Sequence, residues 1–293
     1  MSRLAEDAGL DTLAFVTWRS IAGAVTLGIV LGAGVAMGRV ALPRASTVSR
    51  RERLTLLVAG IVNMLTNVVI FSAFARTSVA LVVIILYSYP ALVTIGANRL
   101  WGEPIDRSRG LALLLASAGL VLVVAAPILG GSGVEVDPLG LLLAATGATL
   151  QAIFTLLAAR GFPAIPSLLG STLILAIVVV GNVVVTVLLG ATSQLVEPIG
   201  DPSLMVWVVV AGVVGAAIPG VALLMGIRRL GPSRAAILMM LEPVVAVLLA
   251  GVFLAEQPSP LQLLGGVMVI AAGVILQIPG RRYARAARLT SGS

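Results

Sequence analysis

The sequence contains no cysteine, no histidine and no lysine; all 19 of its basic residues are arginine. The missing cysteines exclude disulfides and thiol nucleophiles, and the missing histidines exclude imidazole metal ligands, haem ligation by His and His-dependent triads. Without lysine there is no Schiff-base amine and no phosphate-loop lysine. No metal or cofactor is expected from the hydroxyls, amides, carboxylates and guanidiniums that remain, and no enzymatic role. Charge is scarce as well, at 11% of residues, against roughly 25% in soluble domains. What fills the chain is apolar: 59% of 293 residues. A fold in water cannot bury so much apolar surface and keep a polar exterior, so the chain reads as a multi-pass membrane protein. Its first residues do not read as a signal peptide, because Glu6, Asp7 and Asp11 stand where a basic segment belongs.

Spanning a hydrocarbon core of ~30 Å takes about 20 apolar residues of helix. Nine such runs occur, at 13–31, 54–74, 79–100, 110–129, 139–159, 167–189, 204–227, 233–254 and 261–278. They are twice as long as barrel strands and lack the alternation of a polar lumen. Basic loop residues remain on the cytoplasmic side, and the arginines sort by parity. Arg39, Arg44, Arg50, Arg51, Arg53, Arg99, Arg107, Arg109, Arg160, Arg228, Arg229, Arg234, Arg281, Arg282, Arg285 and Arg288 fall on one side, and Arg3 and Arg76 on the other. This predicts a multi-pass protein of the cell membrane with a cytoplasmic C-terminus. The net charge of +7 is then a record of topology with some attraction to anionic lipid, and nucleic acid is not an expected partner, since the arginines are spread over separate loops.

A repeat appears at an offset of 153 residues: Pro90 lies over Pro243, Glu103 over Glu256 and Arg76 over Arg229. The same offset lays runs one to four over runs six to nine and leaves run five without a partner. The expected fold is therefore all-α, a polytopic bundle of about nine transmembrane helices. It is built as an inverted repeat of five-helix units, whose first helix would begin before Met1. An odd number of helices per unit turns the second unit over relative to the first. The expected units are 1–130 and 131–280, with a basic cytoplasmic tail at 281–293.

In their order and spacing, Tyr89-Pro90 with Gly102-Glu103, Glu242-Pro243 with Ala255-Glu256, and Arg19 near the start resemble the EamA-type transporters of the drug/metabolite transporter superfamily. The resemblance covers nearly the whole chain. It implies a carrier of amino acids, nucleosides, sugars or drugs, with a substrate cavity between two inverted units. It also implies ten helices, one more than is visible here.

Charges deep in a bilayer cost about 2.5–3.5 kcal/mol on insertion scales, so they default to a functional reading. Glu242 lies about nine residues into its run, ~14 Å deep. It is a candidate for carrying a proton in one access state or binding a cationic substrate; the competing reading is a packing role beside Pro243. Arg19, ~9 Å deep, either snorkels or pairs with Glu242, or grips an anionic substrate group with its fork of donors. Pro90 and Pro243 each remove a helical hydrogen bond, and breaks at matching places in two repeats point to a midplane site. By helical spacing Tyr87, Thr94 and Asn98 share the face of Pro90. Asn63 and Asn67, and Gln151 and Thr155, add paired polar groups on two further runs. Singly these read as interhelical glue; together they read as the lining of a cavity. Glycines at 32, 34 and 38, at 212, 215 and 220, and at 265 and 266 read as close-packing points, and Glu103 and Glu256 as interfacial caps or gates.

The function these features predict is secondary transport, as an exporter of small organic metabolites or drugs, coupled to protons or to exchange, since no ATPase motif is present. The expected partners are a small-molecule substrate and membrane lipid, with homo-oligomerisation left open. A non-transporting membrane scaffold is the alternative. A membrane enzyme acting on lipid-linked substrates is disfavoured, because it needs clustered acidic, His or Cys residues.

Overall fold

A backbone in lipid has no water to bond, so apolar runs must satisfy their own N–H and C=O groups as helices. The computed structural model describes residues 12–44, 46–129, 136–188, 190, 192, 202–253 and 259–277, and among them there is no strand. The helices are α1 (Thr12–Ala36), α2 (Arg50–Phe74), α3 (Val79–Leu86), α4 (Tyr89–Trp101), α5 (Arg107–Leu129), α6 (Pro138–Arg160), α7 (Ser167–Leu188), α8 (Pro202–Gly212), α9 (Ile218–Leu230), α10 (Pro232–Leu238), α11 (Leu241–Phe253) and α12 (Pro260–Gln277). Among the described residues seven stretches are long and apolar enough to cross a membrane, taking α3 with α4 and α8 with α9 as single spans; α12 is a shorter apolar helix. The chain is a polytopic helical membrane bundle. Glu256 and the 281–293 tail lie outside the described residues.

Local sequence sets the ends of these helices. Ser49 and Glu52 form a reciprocal capping box at the start of α2, and Asp137 caps α6, with Pro138 in its first turn. Gly102 closes α4 in the left-handed conformation, at φ 66°, which a side chain would resist. Two helical stretches are interrupted in mid-course: α3 gives way to α4 at Tyr87-Ser88, and α10 to α11 at Met239-Met240. Each break lies just before a proline, Pro90 or Pro243, in the opening turn of the resuming helix. The ring bars a helical bond back to the carbonyl four residues earlier, so the helix must restart. A third irregularity joins α8 to α9: Val213–Ala217 is a π-helical turn.

Helices 153 residues apart in sequence pack on each other, α1 on α7 and α5 along α12, while α4 packs on α10, the counterpart of α3. The contact of α2 with α7 is matched by that of α1 with α8 and the π turn. Small residues permit the closest approaches. A Cβ on Gly119 would lie 2.6 Å from the Gly265 carbonyl oxygen, and one on Gly265 would lie 2.4 Å from that of Gly119. Gly212 sits as closely against Ala22 and the Arg19 carbonyl. The expectation that the other glycines do likewise fails at Gly32, Gly38 and Gly220, where an added Cβ meets nothing.

The helix ends carrying Arg50, Arg51, Arg53, Arg99, Arg107, Arg109, Arg160, Arg228, Arg229 and Arg234 define an arginine-rich face; Arg76 and Asp137 mark the opposite, arginine-poor one. Beneath the arginine-rich face lies an apolar layer of Val48, Leu56, Phe162, Ile165, Leu224, Ile227 and Ala235, all buried.

Candidate functional site

A cavity of about 370 Å³ occupies the middle of the bundle. Its lining reaches Phe74, the last residue of α2, toward the arginine-poor face. In the other direction it ends on Ser171 and on Leu224 of the apolar layer. The walls are mostly apolar and aromatic, with Phe71, Phe74, Phe154, Tyr87 and Tyr89 among them. Two charged side chains, Arg19 from α1 and Glu242 from α11, face this space.

Arg19 does not snorkel away from the protein. Its Nη2 donates to Asn67 Oδ1 at 2.8 Å and its Nη1 to the Gly215 carbonyl at 3.1 Å. The guanidinium also lies over the Phe71 ring, 5.3 Å from the centroid, and its Nε is buried without a partner. Asn67 is oriented in turn by donating to the Asn63 carbonyl at 2.8 Å. The Gly215 acceptor exists because of Pro219: a proline has no N–H to return to the carbonyl four residues before it. At this place the helix widens into the π turn, with Ile218 donating to Val213.

Glu242 is surrounded by protein yet keeps an exposed carboxylate, because the space beside it is the cavity. Tyr87, in the break between α3 and α4, donates its hydroxyl to Glu242 Oε2 at 3.2 Å. The Tyr87 and Tyr89 rings are 6.1 Å apart. Arg19 and Glu242 sit within electrostatic range of each other but form no ion pair. The ion pairs among the described residues are Arg76–Asp137 and Arg109–Glu103. Each cavity charge is thus held by neutral dipoles and is free to take a charged partner.

Of the residues singled out from sequence, Arg19, Asn63, Asn67, Tyr87, Gln151 and Glu242 line this one cavity. Thr94 and Asn98 do not: they follow Pro90 at helical spacing within α4, but the expected common face with Tyr87 does not carry them into the cavity. Tyr87 belongs to the turn between α3 and α4, whereas Thr94 and Asn98 belong to α4 itself. Thr94 is buried and bonds back to the Pro90 carbonyl at 2.7 Å. Asn98 donates to the Glu103 carbonyl at 2.9 Å, as part of the α4 terminus. Pro90 and Pro243 are likewise not lining residues; they shape the breaks. Thr155 is buried on its own helix, bonded to the Gln151 carbonyl. Sequence reasoning passed over Pro219 and read Gly215 only as a packing point; their spacing of four, proline after glycine within an apolar run, carries the signal of a freed carbonyl. It also passed over Ser20, Thr66 and Ser171, which are short hydroxyls with no periodic mark.

The family model for EamA-like transporters matches residues 1–125 and 138–277. The chain belongs to this family. Membership makes it a membrane transporter of the drug/metabolite superfamily. Of the solved structures, 29 chains match. One, titled "Crystal structure of protein", superposes with a TM-score of 0.70 at 20% identity, over 93% of this chain and 88% of its own. It is similar in fold. No curated protein matches the chain.

The closed end of the cavity is tied by polar contacts between the links of the arginine-rich face. Glu103, after α4, pairs with Arg109 at 2.9 Å and accepts from Ser233 Oγ of α10 at 3.3 Å. Glu52 of α2 accepts from the Ala164 amide at 2.9 Å, and Arg228 donates to the Phe162 and Ile165 carbonyls. Arg160 lies 4.7 Å over the Trp101 ring.

Proposed function

We propose that this EamA-like chain exports small organic metabolites or drugs by alternating access, coupled to protons or to solute exchange. The observation that carries the reading is that Arg19 and Glu242, of opposite sign and deep in the bundle, face one cavity rather than lipid or each other. Charges held this way cost stability unless they serve a ligand. A cavity of about 370 Å³ is at the lower end of the ~300–1,000 Å³ typical of small-molecule sites. Arg19 binds an anionic group of the substrate through its fork of donors. Glu242, with Tyr87, takes a cation or the coupling proton.

The arginine-rich face is the cytoplasmic one by the distribution of basic residues, in the cell membrane, with the C-terminus on the same side. The lining then extends toward the outside, and the apolar layer with its polar ties separates it from the cytoplasm. Residues 1–130 and 131–280 act as two inverted units that rock about the cavity. The interruptions at Tyr87-Ser88 and Met239-Met240 are tight turns at equivalent positions of the two units, and helix breaks paired in this way support a site between the units. Counterflow in proteoliposomes loaded with mixed metabolites tests the proposal, with the gradient imposed in both directions. Uptake that is lost in Glu242→Gln and in Arg19→Gln, both still folded, is the expected result. Unchanged counterflow in both variants refutes the assignment of the cavity charges.

A further inference from the structure

A second cavity, of about 400 Å³, opens on the outside of the bundle at the arginine-rich face. It is lined by Arg50, Arg51, Leu54, Thr55 and Val58 of α2 and Leu157 of α6. Arg50, Leu54 and Val58 follow one another at helical spacing, with Arg51 and Thr55 beside them, so the cavity is a slot running down one flank of α2. From Arg50 to Val58 it descends eight residues, roughly 12 Å at 1.5 Å each. Its mouth is basic and its depth is apolar. The Thr55 hydroxyl donates to the Arg51 carbonyl at 2.9 Å, which turns its polar atom to its own backbone and leaves the methyl for the wall.

The helix terminus itself does not supply an anion site. Ser49 and Glu52 cap it, and the Glu52 carboxylate is spent on Ser49 and on the Ala164 amide. What is available is the pair of guanidiniums, neither of which enters an ion pair among the described residues. Leu54 and Val58 are about half exposed, at 52% and 46%, on a surface that hydrocarbon covers in a membrane.

We infer that this slot binds one anionic phospholipid, with the headgroup phosphate between Arg50 and Arg51 and an acyl chain along Leu54, Val58 and Leu157. Charge complementarity fixes the sign of the headgroup, and the descent from basic mouth to apolar depth matches the order of a phospholipid from phosphate to chain. A free phosphate uses only the mouth; a zwitterionic lipid uses the depth but weakens the mouth. The site stands apart from the central cavity and does not rest on the transport reading.

Native mass spectrometry of the detergent-purified full chain tests it, titrated with phosphatidylglycerol, with phosphatidylcholine of the same chains, and with inorganic phosphate as competitor. Phosphatidylglycerol is expected to bind at least tenfold more tightly than phosphatidylcholine and to resist displacement by phosphate. About 1 kcal/mol per arginine near a membrane surface is about fivefold in affinity per residue. The double variant Arg50→Gln, Arg51→Gln should therefore lose about 25-fold. Val58→Trp, which fills the slot and keeps both arginines, should weaken phosphatidylglycerol at least fivefold, and it reads the site independently should the double variant fail to fold. Equal binding of the two lipids, displacement by phosphate, or wild-type affinity in Val58→Trp overturns the inference.

Discussion

Pro219→Ala separates stability from function in a way that depends on the coupling between Arg19 and the π turn. Alanine restores an N–H four residues after Gly215 and removes the ring that prevents an ordinary α-helical bond there. Proline in a helix interior costs about 3 kcal/mol relative to alanine. Pro219 follows closely on the π turn, which already accommodates its ring, so this is the ceiling of the gain. Against it stands the bond from Arg19 Nη1 to the Gly215 carbonyl, 3.1 Å long; a hydrogen bond to a charged group contributes about 1.5–3 kcal/mol. If the new N–H displaces Arg19, the two effects largely cancel. If the carbonyl serves both donors, the variant is more stable by about 1–3 kcal/mol.

A double-mutant cycle with Arg19→Gln distinguishes these cases, because coupled neighbours depart from additivity by about 0.5–3 kcal/mol. Thermal unfolding in detergent should show a larger gain from Pro219→Ala when Arg19 is absent. Annealing the π turn to a plain α-helix also removes one residue from the local register. That rotates Gly215 and Ala216 by about 100° relative to Leu223 and Leu224, all of which line the cavity. Counterflow in Pro219→Ala should therefore fall at least tenfold while the protein remains folded. Equal stabilisation in both Arg19 backgrounds, together with normal counterflow, would refute both the shared carbonyl and its part in the site.

Three further outcomes follow from particular contacts. Glu103→Gln weakens the tie from the α4–α5 link to Ser233, and a charged hydrogen-bonded contact of this kind contributes about 1–3 kcal/mol. Because the chain has no native cysteine, a single Ser171→Cys reporter at the inner end of the cavity can be labelled with an impermeant maleimide from the arginine-rich side. Labelling should accelerate at least fivefold in Glu103→Gln, and unchanged rates would remove Glu103 from the closure. Asn182, fully buried in α7 with both amide atoms unpartnered among the described residues, should be replaceable by leucine with a gain of about 1–3 kcal/mol. A lower midpoint in Asn182→Leu would show that the amide is satisfied. Gly119→Leu should separate α5 from α12, since its Cβ would lie 2.6 Å from the Gly265 carbonyl; the check is loss of monodisperse protein in detergent, and a well-folded variant would contradict the packing.

Much of this molecule is legible in its sequence because lipid imposes few solutions. Apolar runs of about 20 residues become spanning helices, and their limits lie within a few residues of the observed α1, α2, α5, α6 and α7. The charges deep in those runs are equally visible, since the bilayer makes them expensive. Arg19 and Glu242 stand out among the apolar residues around them for that reason alone. Helical phase alone does not place a side chain in a cavity. Tyr87, Thr94 and Asn98 are in phase on paper, but Tyr87 belongs to the turn between α3 and α4, whereas Thr94 and Asn98 belong to α4 itself. Backbone acceptors are harder still: the Gly215 carbonyl matters through Pro219, and a hydrogen bond that is absent leaves no side chain to notice. Small hydroxyls such as Ser20 and Ser171 acquire meaning only when a cavity is beside them.

The polar contacts at the two faces differ in a way that bears on which side of the cavity is closed. On the arginine-poor face the described ion pair is Arg76–Asp137, at 3.3 Å with side-chain exposures of 50% and 32%. Pairs so exposed contribute about 0–1 kcal/mol and give way easily. On the arginine-rich face Arg109 and Glu103 are only 11% and 17% exposed, and Glu103 is also held by Ser233. Breaking such a contact leaves a partly desolvated carboxylate, which is what makes buried pairs costly to open. Beneath it, Phe162, Ile165, Leu224 and Ile227 form a dry layer that any opening must hydrate. Opening on the arginine-poor side therefore opposes a weak, exposed contact, whereas opening on the arginine-rich side opposes a buried one together with an apolar seal. A cavity that empties toward both faces in turn needs a ligand to offset that difference.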